Sequence, residues 1–173
     1  TASTGNVLPA GSYDVTVTDA VGCVQMSSTT VIEPSPLSLS TTVTDATCNG
    51  MSNGFVMSSV ASGTSGYTYS WSNGSTIASA TGLAVGSIDL IAMDANGCMI
   101  TTTDNITQPP SLSISTSETQ ASCAASDGSV TALVTGGTSP YGYSWTGGQV
   151  TATATGLAAG SYDVTVSDAN SCM

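Results

Sequence analysis

Residues 157–172 read LAAGSYDVTVSDANSC. Two earlier stretches repeat it: residues 8–23, LPAGSYDVTVTDAVGC, and residues 83–98, LAVGSIDLIAMDANGC. The copies start 75 and then 74 residues apart, a period too long for a solenoid turn and of the right size for a small domain. Within each copy Gly-Ser opens a turn and Asp-Ala-x-x-Cys closes into another, and in the first and third copies the intervening Tyr-Asp-Val-Thr-Val alternates apolar and polar. That pattern reads as a half-buried strand entering a hairpin. The chain is therefore expected to be a string of similar β units.

Composition narrows what such a string can do. The 173 residues contain no Lys, Arg or His, and all 11 charges are negative, for a formal charge of −11. No internal salt bridge between side chains is possible. Nucleic acid and anionic membrane surfaces are disfavoured as partners, because neither has a cation to meet. No run of 18 apolar residues occurs, so no membrane insertion is expected. Nucleophilic catalysis by the many Ser and Thr would need a neighbouring base, usually His or Lys, and Lys–Asn isopeptide cross-links would need Lys. The recurrent acids fall at equivalent places in each copy, which points to structure. No enzyme is expected, and no cofactor.

Along the chain, residues 1–35 read as the C-terminal half of a first unit, with strands over Ser12–Thr18 and Val24–Ile32 and a proline exit at Glu33–Pro36. Residues 36–110 read as one complete unit, with strands at Leu37–Val43, Phe55–Ala61, Tyr67–Trp71, a short Ser/Thr/Ala segment, the signature strand and Cys98–Thr107. Residues 111–173 repeat the scheme without the last strand, through Leu112–Ser117, Ser129–Thr135, Tyr141–Trp145 and Ser161–Ser167. The change in period falls in one loop, Cys48–Gly54 being a residue longer than Cys123–Gly128. About seven short strands, a Trp on the third and a Tyr opening the penultimate strand predict an all-β fold of tandem immunoglobulin-like sandwiches. Tyr13 and Tyr162 stand where a tyrosine corner would be, and Ile88 replaces them in the middle copy. Inward positions are expected at Val56, Val60, Trp71, Val130, Val134, Trp145, Val164 and Val166. Both ends fall inside units, so the chain is expected to be a segment of a longer protein.

Taken together, Cys48-Asn-Gly, Tyr67-Thr-Tyr-Ser-Trp-Ser-Asn-Gly74, Asp94-Ala-Asn-Gly-Cys98 and Thr155-Gly-Leu-Ala-Ala-Gly-Ser-Tyr162 make the chain resemble the SprB repeat family. These repeats build very large cell-surface proteins of Bacteroidota, the founding member being a gliding-motility adhesin exported by type IX secretion. The resemblance implies an extracellular filament or stalk. Its expected partners are neighbouring repeats of the same chain, laterally associated copies or other surface proteins, and surface polysaccharide. Ile88 for Tyr, Ser171 for Gly and Ala124-Ala125 for Asn-Gly depart from the pattern.

The five cysteines follow the repeat. Cys48 and Cys123 come after a first strand, and Cys23, Cys98 and Cys172 come before a last one. In an extracellular setting the simplest pairing is within each unit, Cys48–Cys98 and Cys123–Cys172, with Cys23 bonded to an upstream residue. It requires the Cys48 loop to run back along its unit, because the first loop and the last hairpin of a standard sandwich lie at opposite ends. Pairing between neighbours, Cys23–Cys48 and Cys98–Cys123, and reduced buried thiols are the rivals. A metal site is not expected, since there is no CxxC and no His. The recurrent Asp19, Asp94 and Asp168 raise calcium, but Asx-type hairpin turns explain Asp-x-x-Gly better. A carbohydrate-binding module stacking sugars on Trp71 or Trp145, and a spacer in a secreted enzyme, are the alternative functions. Phe55, Met57, Ile91 and Met93, outward-facing in the middle unit, raise lateral contact.

Overall fold

A computed structural model describes residues 7–173, so the first six residues of the leading half-unit lie outside the described residues. Alternation of small polar and apolar side chains produces thirteen strands and, among the described residues, no helix. Strands β1 (Gly11–Thr18) and β2 (Val24–Val31) form an antiparallel hairpin. The middle unit comprises β3 (Ser38–Thr44), β4 (Gly54–Ala61), β5 (Thr68–Trp71), β6 (Ser79–Leu83), β7 (Gly86–Met93) and β8 (Met99–Ile106). The third comprises β9 (Ser113–Thr119), β10 (Gly128–Thr135), β11 (Gly142–Trp145), β12 (Thr153–Leu157) and β13 (Val164–Ser167).

In the middle unit the sheet β3-β4-β6 faces the sheet β5-β7-β8. This is the strand order of an immunoglobulin-type sandwich without its fourth strand. The six strands read from the sequence all form, one fewer than the roughly seven of the immunoglobulin template. The Ser72–Gly74 turn carries the chain from Trp71 almost directly into β6, and the few residues between cannot add an edge strand. Between the sheets lie Val56, Trp71, Ala80, Leu83, Ile88, Leu90 and Ile106, all buried. The Trp71 indole N–H donates to the Ile77 carbonyl at 2.9 Å, so the ring is buried with its polar atom satisfied. Gly54 opens β4 at a bulge, where a Cβ would stand 2.7 Å from the Ile106 side chain.

The third unit repeats this with one strand fewer, around Ala132, Trp145, Ala154 and Leu157. Trp145 donates to the Thr151 carbonyl at 2.9 Å. Its signature strand shortens to Val164–Ser167 because no strand pairs along its outer edge, whereas β7 pairs with β8 over its full length. Val130, Val134 and Val164 are only half-buried, and so is Val60 in the middle unit. The tyrosine corner forms where a Tyr is present. Tyr13 Oη donates to the Pro9 carbonyl at 2.7 Å and Tyr162 Oη to that of Ala158 at 3.1 Å, while Ile88 simply joins the core. Met57 lies on β4 and Ile91 and Met93 on β7, so these exposed side chains belong to opposite sheets and make no single patch.

Candidate functional site at the repeat junction

The register fixes which loops share an end. The loop joining β3 to β4 lies beside the end of β8: Ala46 N–H donates to the Thr107 carbonyl, and Thr107 N–H to Asp45 Oδ1 at 2.7 Å. The β7–β8 turn lies at the other end, against the loop after β4. There Thr64 N–H donates to Asp94 Oδ2 at 3.0 Å, and Asp94 Oδ1 accepts from the N–H groups of Asn96 and Cys98 at 2.9 Å each. Cys48 and Cys98 thus sit at opposite ends of one sandwich. An eight-residue strand separates them by roughly 25 Å, and a disulfide needs Cα atoms within about 7 Å.

The expected pairing within units is therefore wrong. The bond formed is Cys48–Cys172, with Cα atoms 5.7 Å apart and 124 residues between them in sequence. The chain leaves the middle sandwich beside the Cys48 loop, through Gln108-Pro109-Pro110, and enters the third sandwich beside its Asp168 turn. The far end of one sandwich thereby meets the near end of the next. Asn49 Nδ2 donates to the Pro109 carbonyl and Gly50 N–H to Gln108 Oε1, holding the loop on the linker. From the other side Asn170 Nδ2 donates to the Thr47 carbonyl at 2.9 Å. Cys98 and Cys123 are unpaired and exposed, as is Cys23, so neither neighbour pairing forms.

The third sandwich is seated on the linker by Gly137. Its N–H donates to the Pro110 carbonyl, its φ is +60°, and a Cβ there would stand 2.7 Å from Leu112 Cδ1 and 3.1 Å from Asp168 Oδ2. Gly137→Ala is expected to cost roughly 2 kcal/mol, from the left-handed backbone and the clash together. Gly148→Ala, also at positive φ but with open space around it, should cost less. Urea unfolding midpoints of the two variants provide the check.

Carboxylates are the only charged side chains at the junction and in the equivalent turns and loops elsewhere. Thr64 N–H, with the N–H groups of Cys98 and Asn96, holds Asp94 below the usual carboxylate range. Burial pushes Asp168 upward, but N–H bonds from Cys172, Thr138 and Asn170 outweigh it and leave its pKa lowered. Asp19, Asp45 and Asp127 are lowered by N–H donors of Cys23, Thr107 and Ser122. A lowered folded pKa stabilises above the unfolded value, here 3.8, and that contribution is lost as pH falls through the folded value. Stability is thus expected to drop below about pH 4. Asp94→Asn should be less stable than wild type at pH 7, and the difference should shrink toward pH 2. Denaturation curves across that range read it out.

Sequence reasoning placed the Asp94 and Asp168 turns correctly and missed the hydroxyls of Tyr67 and Tyr141, which donate at 2.6 Å to the Ser62 and Gly136 carbonyls. Their fivefold spacing from those carbonyls, the same in both units, was the available signal. Both indoles are buried, Trp71 at 3% and Trp145 at 4% exposure, so neither offers a face to a sugar. Among the described residues no three Cys, Asp or Glu side chains gather as a metal site would require.

Two-sheet sandwiches in tandem, joined through short proline linkers, define the class: a β-sandwich repeat protein. Residues 40–76 and 115–150 each match the family model of the SprB repeat, the family that the sequence resembles. The matched segments run from β3 past Trp71 and from β9 past Trp145, and both include the loop cysteine. No curated protein is similar enough to the chain to count as a match. Those matches support a repeat segment of a cell-surface protein, and the disulfide fits an environment outside the cytoplasm.

Proposed function

We propose that the chain is a mechanical segment of a large secreted bacterial surface protein, a filament or stalk that carries an adhesive element away from the cell, as in gliding adhesins. The observation that supports it is the Cys48–Cys172 bond, which fastens the end of one sandwich to the start of the next. A bond in that place ties the two sandwiches to each other and adds to the stiffness of the string. The units behind this reading are residues 1–35, 36–110 and 111–173. Its partners are neighbouring repeats, and its surface is acidic and hydroxyl-rich, free of tryptic cleavage sites. It works without catalysis and without cofactor. Both oxygens of Asp94 and of Asp168 accept from backbone N–H groups, which supports hairpin turns over calcium ligation as their role.

Antibody raised against the chain should label intact cells, and removing surface protein from them should abolish adhesion or gliding. Labelling only after permeabilisation would refute the reading. A chelator should leave the melting midpoint unchanged. A fall of several degrees would restore calcium.

A further inference from the structure

We propose that Cys98 and Cys123 are the two open halves of the Cys48–Cys172 clasp, and that each bonds a cysteine of an adjoining repeat in the same polypeptide. The inference rests on the reading of the chain as consecutive repeats. Cys98 would take the loop cysteine of the repeat before it, and Cys123 the turn cysteine of the repeat after it.

Equivalence at the turn end is detailed. Asp94 binds Asn96 N–H, Cys98 N–H and Thr64 N–H as Asp168 binds Asn170, Cys172 and Thr138. Asn96 Nδ2 reaches Thr64 Oγ1 as Asn170 Nδ2 reaches Thr138 Oγ1. The linker before the middle sandwich seats it in the same way, the Ser35 carbonyl accepting from Gly63 N–H as Pro110 accepts from Gly137. The Cys98 turn is therefore built and positioned like the Cys172 turn, lacking only the opposing loop. At the loop end, Ser122 N–H donates to Asp127 Oδ1 as Thr47 N–H donates to Asn53 Oδ1, so the shorter Cys123 loop is closed by the same device. Cys98 and Cys123 are exposed at opposite extremes of the two-sandwich stack and cannot reach each other. Cys23, in the matching turn of β1–β2, obeys the same rule.

Each clasp forms by thiol–disulfide exchange with an oxidised thiol–disulfide oxidoreductase. One cysteine thiolate attacks the oxidant's disulfide, and the second displaces the oxidant's remaining sulfur. Two cysteine thiols lose two protons and two electrons, and the oxidant leaves as a dithiol. In a run of such clasps tension would cross a bond to Cys98, follow 25 residues to Cys123 and cross the next bond. Of the two sandwiches only β8 and β9 would lie on that path, and the remaining strands would be shielded from the load.

The test is a peptide map of the full native polypeptide, alkylated without reduction and digested with pepsin at acid pH. Cys98 should appear bonded to a loop-type cysteine, and Cys123 to a turn-type cysteine of an Asp-Ala-x-x-Cys segment. Alkylated Cys98 and Cys123, a Cys48–Cys98 or Cys123–Cys172 pair, or bonds between separate polypeptides would overturn the proposal. The 173-residue chain mapped alone should keep Cys48–Cys172 with three alkylatable thiols. That result beside free Cys98 in native protein would sink this inference while leaving the stacked sandwiches standing.

Discussion

Removing the Cys48–Cys172 bond, by reduction or by paired Cys48→Ala and Cys172→Ala substitution, is expected to lower stability by about 5 kcal/mol. The figure follows from closing a loop of 124 residues in the unfolded chain. The loss should not fall evenly. The middle sandwich keeps its seven buried core residues and both complete sheets. The third has a smaller core and an unpaired edge on β13, and it borrows order from the clasp and from the Asn170–Thr47 contact. In urea the oxidised chain should unfold in one transition, and the reduced chain in two, the third sandwich first. Tryptophan fluorescence follows both, since each sandwich holds one buried indole. A reduced chain with an unchanged midpoint would show that the bond adds nothing across the junction.

Trp71→Ala should be the most damaging single substitution in the middle sandwich, at roughly 3–5 kcal/mol. It removes the largest side chain in a core that also holds Val56, Leu90 and Ile106 at 0% exposure, and it leaves the Ile77 carbonyl without its donor. Small domains are stable by only about 5–15 kcal/mol, so the variant sandwich should be largely unfolded at modest denaturant. Trp145→Ala should cost less. That core is already open where the third unit has no counterpart of Ile106, and a crevice between Gly128, Val130, Leu157 and Tyr162 marks the place. The remaining Trp in each variant reports on the untouched sandwich and far-UV circular dichroism on both, so the loss in the substituted sandwich is read by difference in one urea titration. Equal losses would mean that the cores are equivalent despite the missing strand.

Much of this was legible in the residues. Alternation in Phe55–Ala61 and Tyr67–Trp71 located strands to within a residue or so, because one face of each is packed and the other solvated. Tyr13 and Tyr162 announced their corner bonds through position alone. The cysteine pairing was not legible. The repeat period says which cysteines are equivalent, but it does not say at which end of a sandwich each lies. That depends on the antiparallel register of β3, β7 and β8, and on the linker at Pro109-Pro110 bringing the next sandwich down on the first. The six strands of the middle unit were legible, but the absence of the seventh strand of the template was not. Ser75 to Ala78 carries strand-like residues, but they are consumed by the Trp71 turn, where Trp71 N–H donates to Ser75 and Ser58 N–H to Ala78.

The central claim, that successive sandwiches are clasped end to end so that tension bypasses most of their strands, is tested most directly by pulling single 173-residue chains from their two ends with and without reductant. The oxidised chain should yield only the residues outside the 48–172 loop, and reductant should add about 400–450 Å of contour length, the span of some 124 extended residues. Equal contour lengths in the two conditions would contradict it.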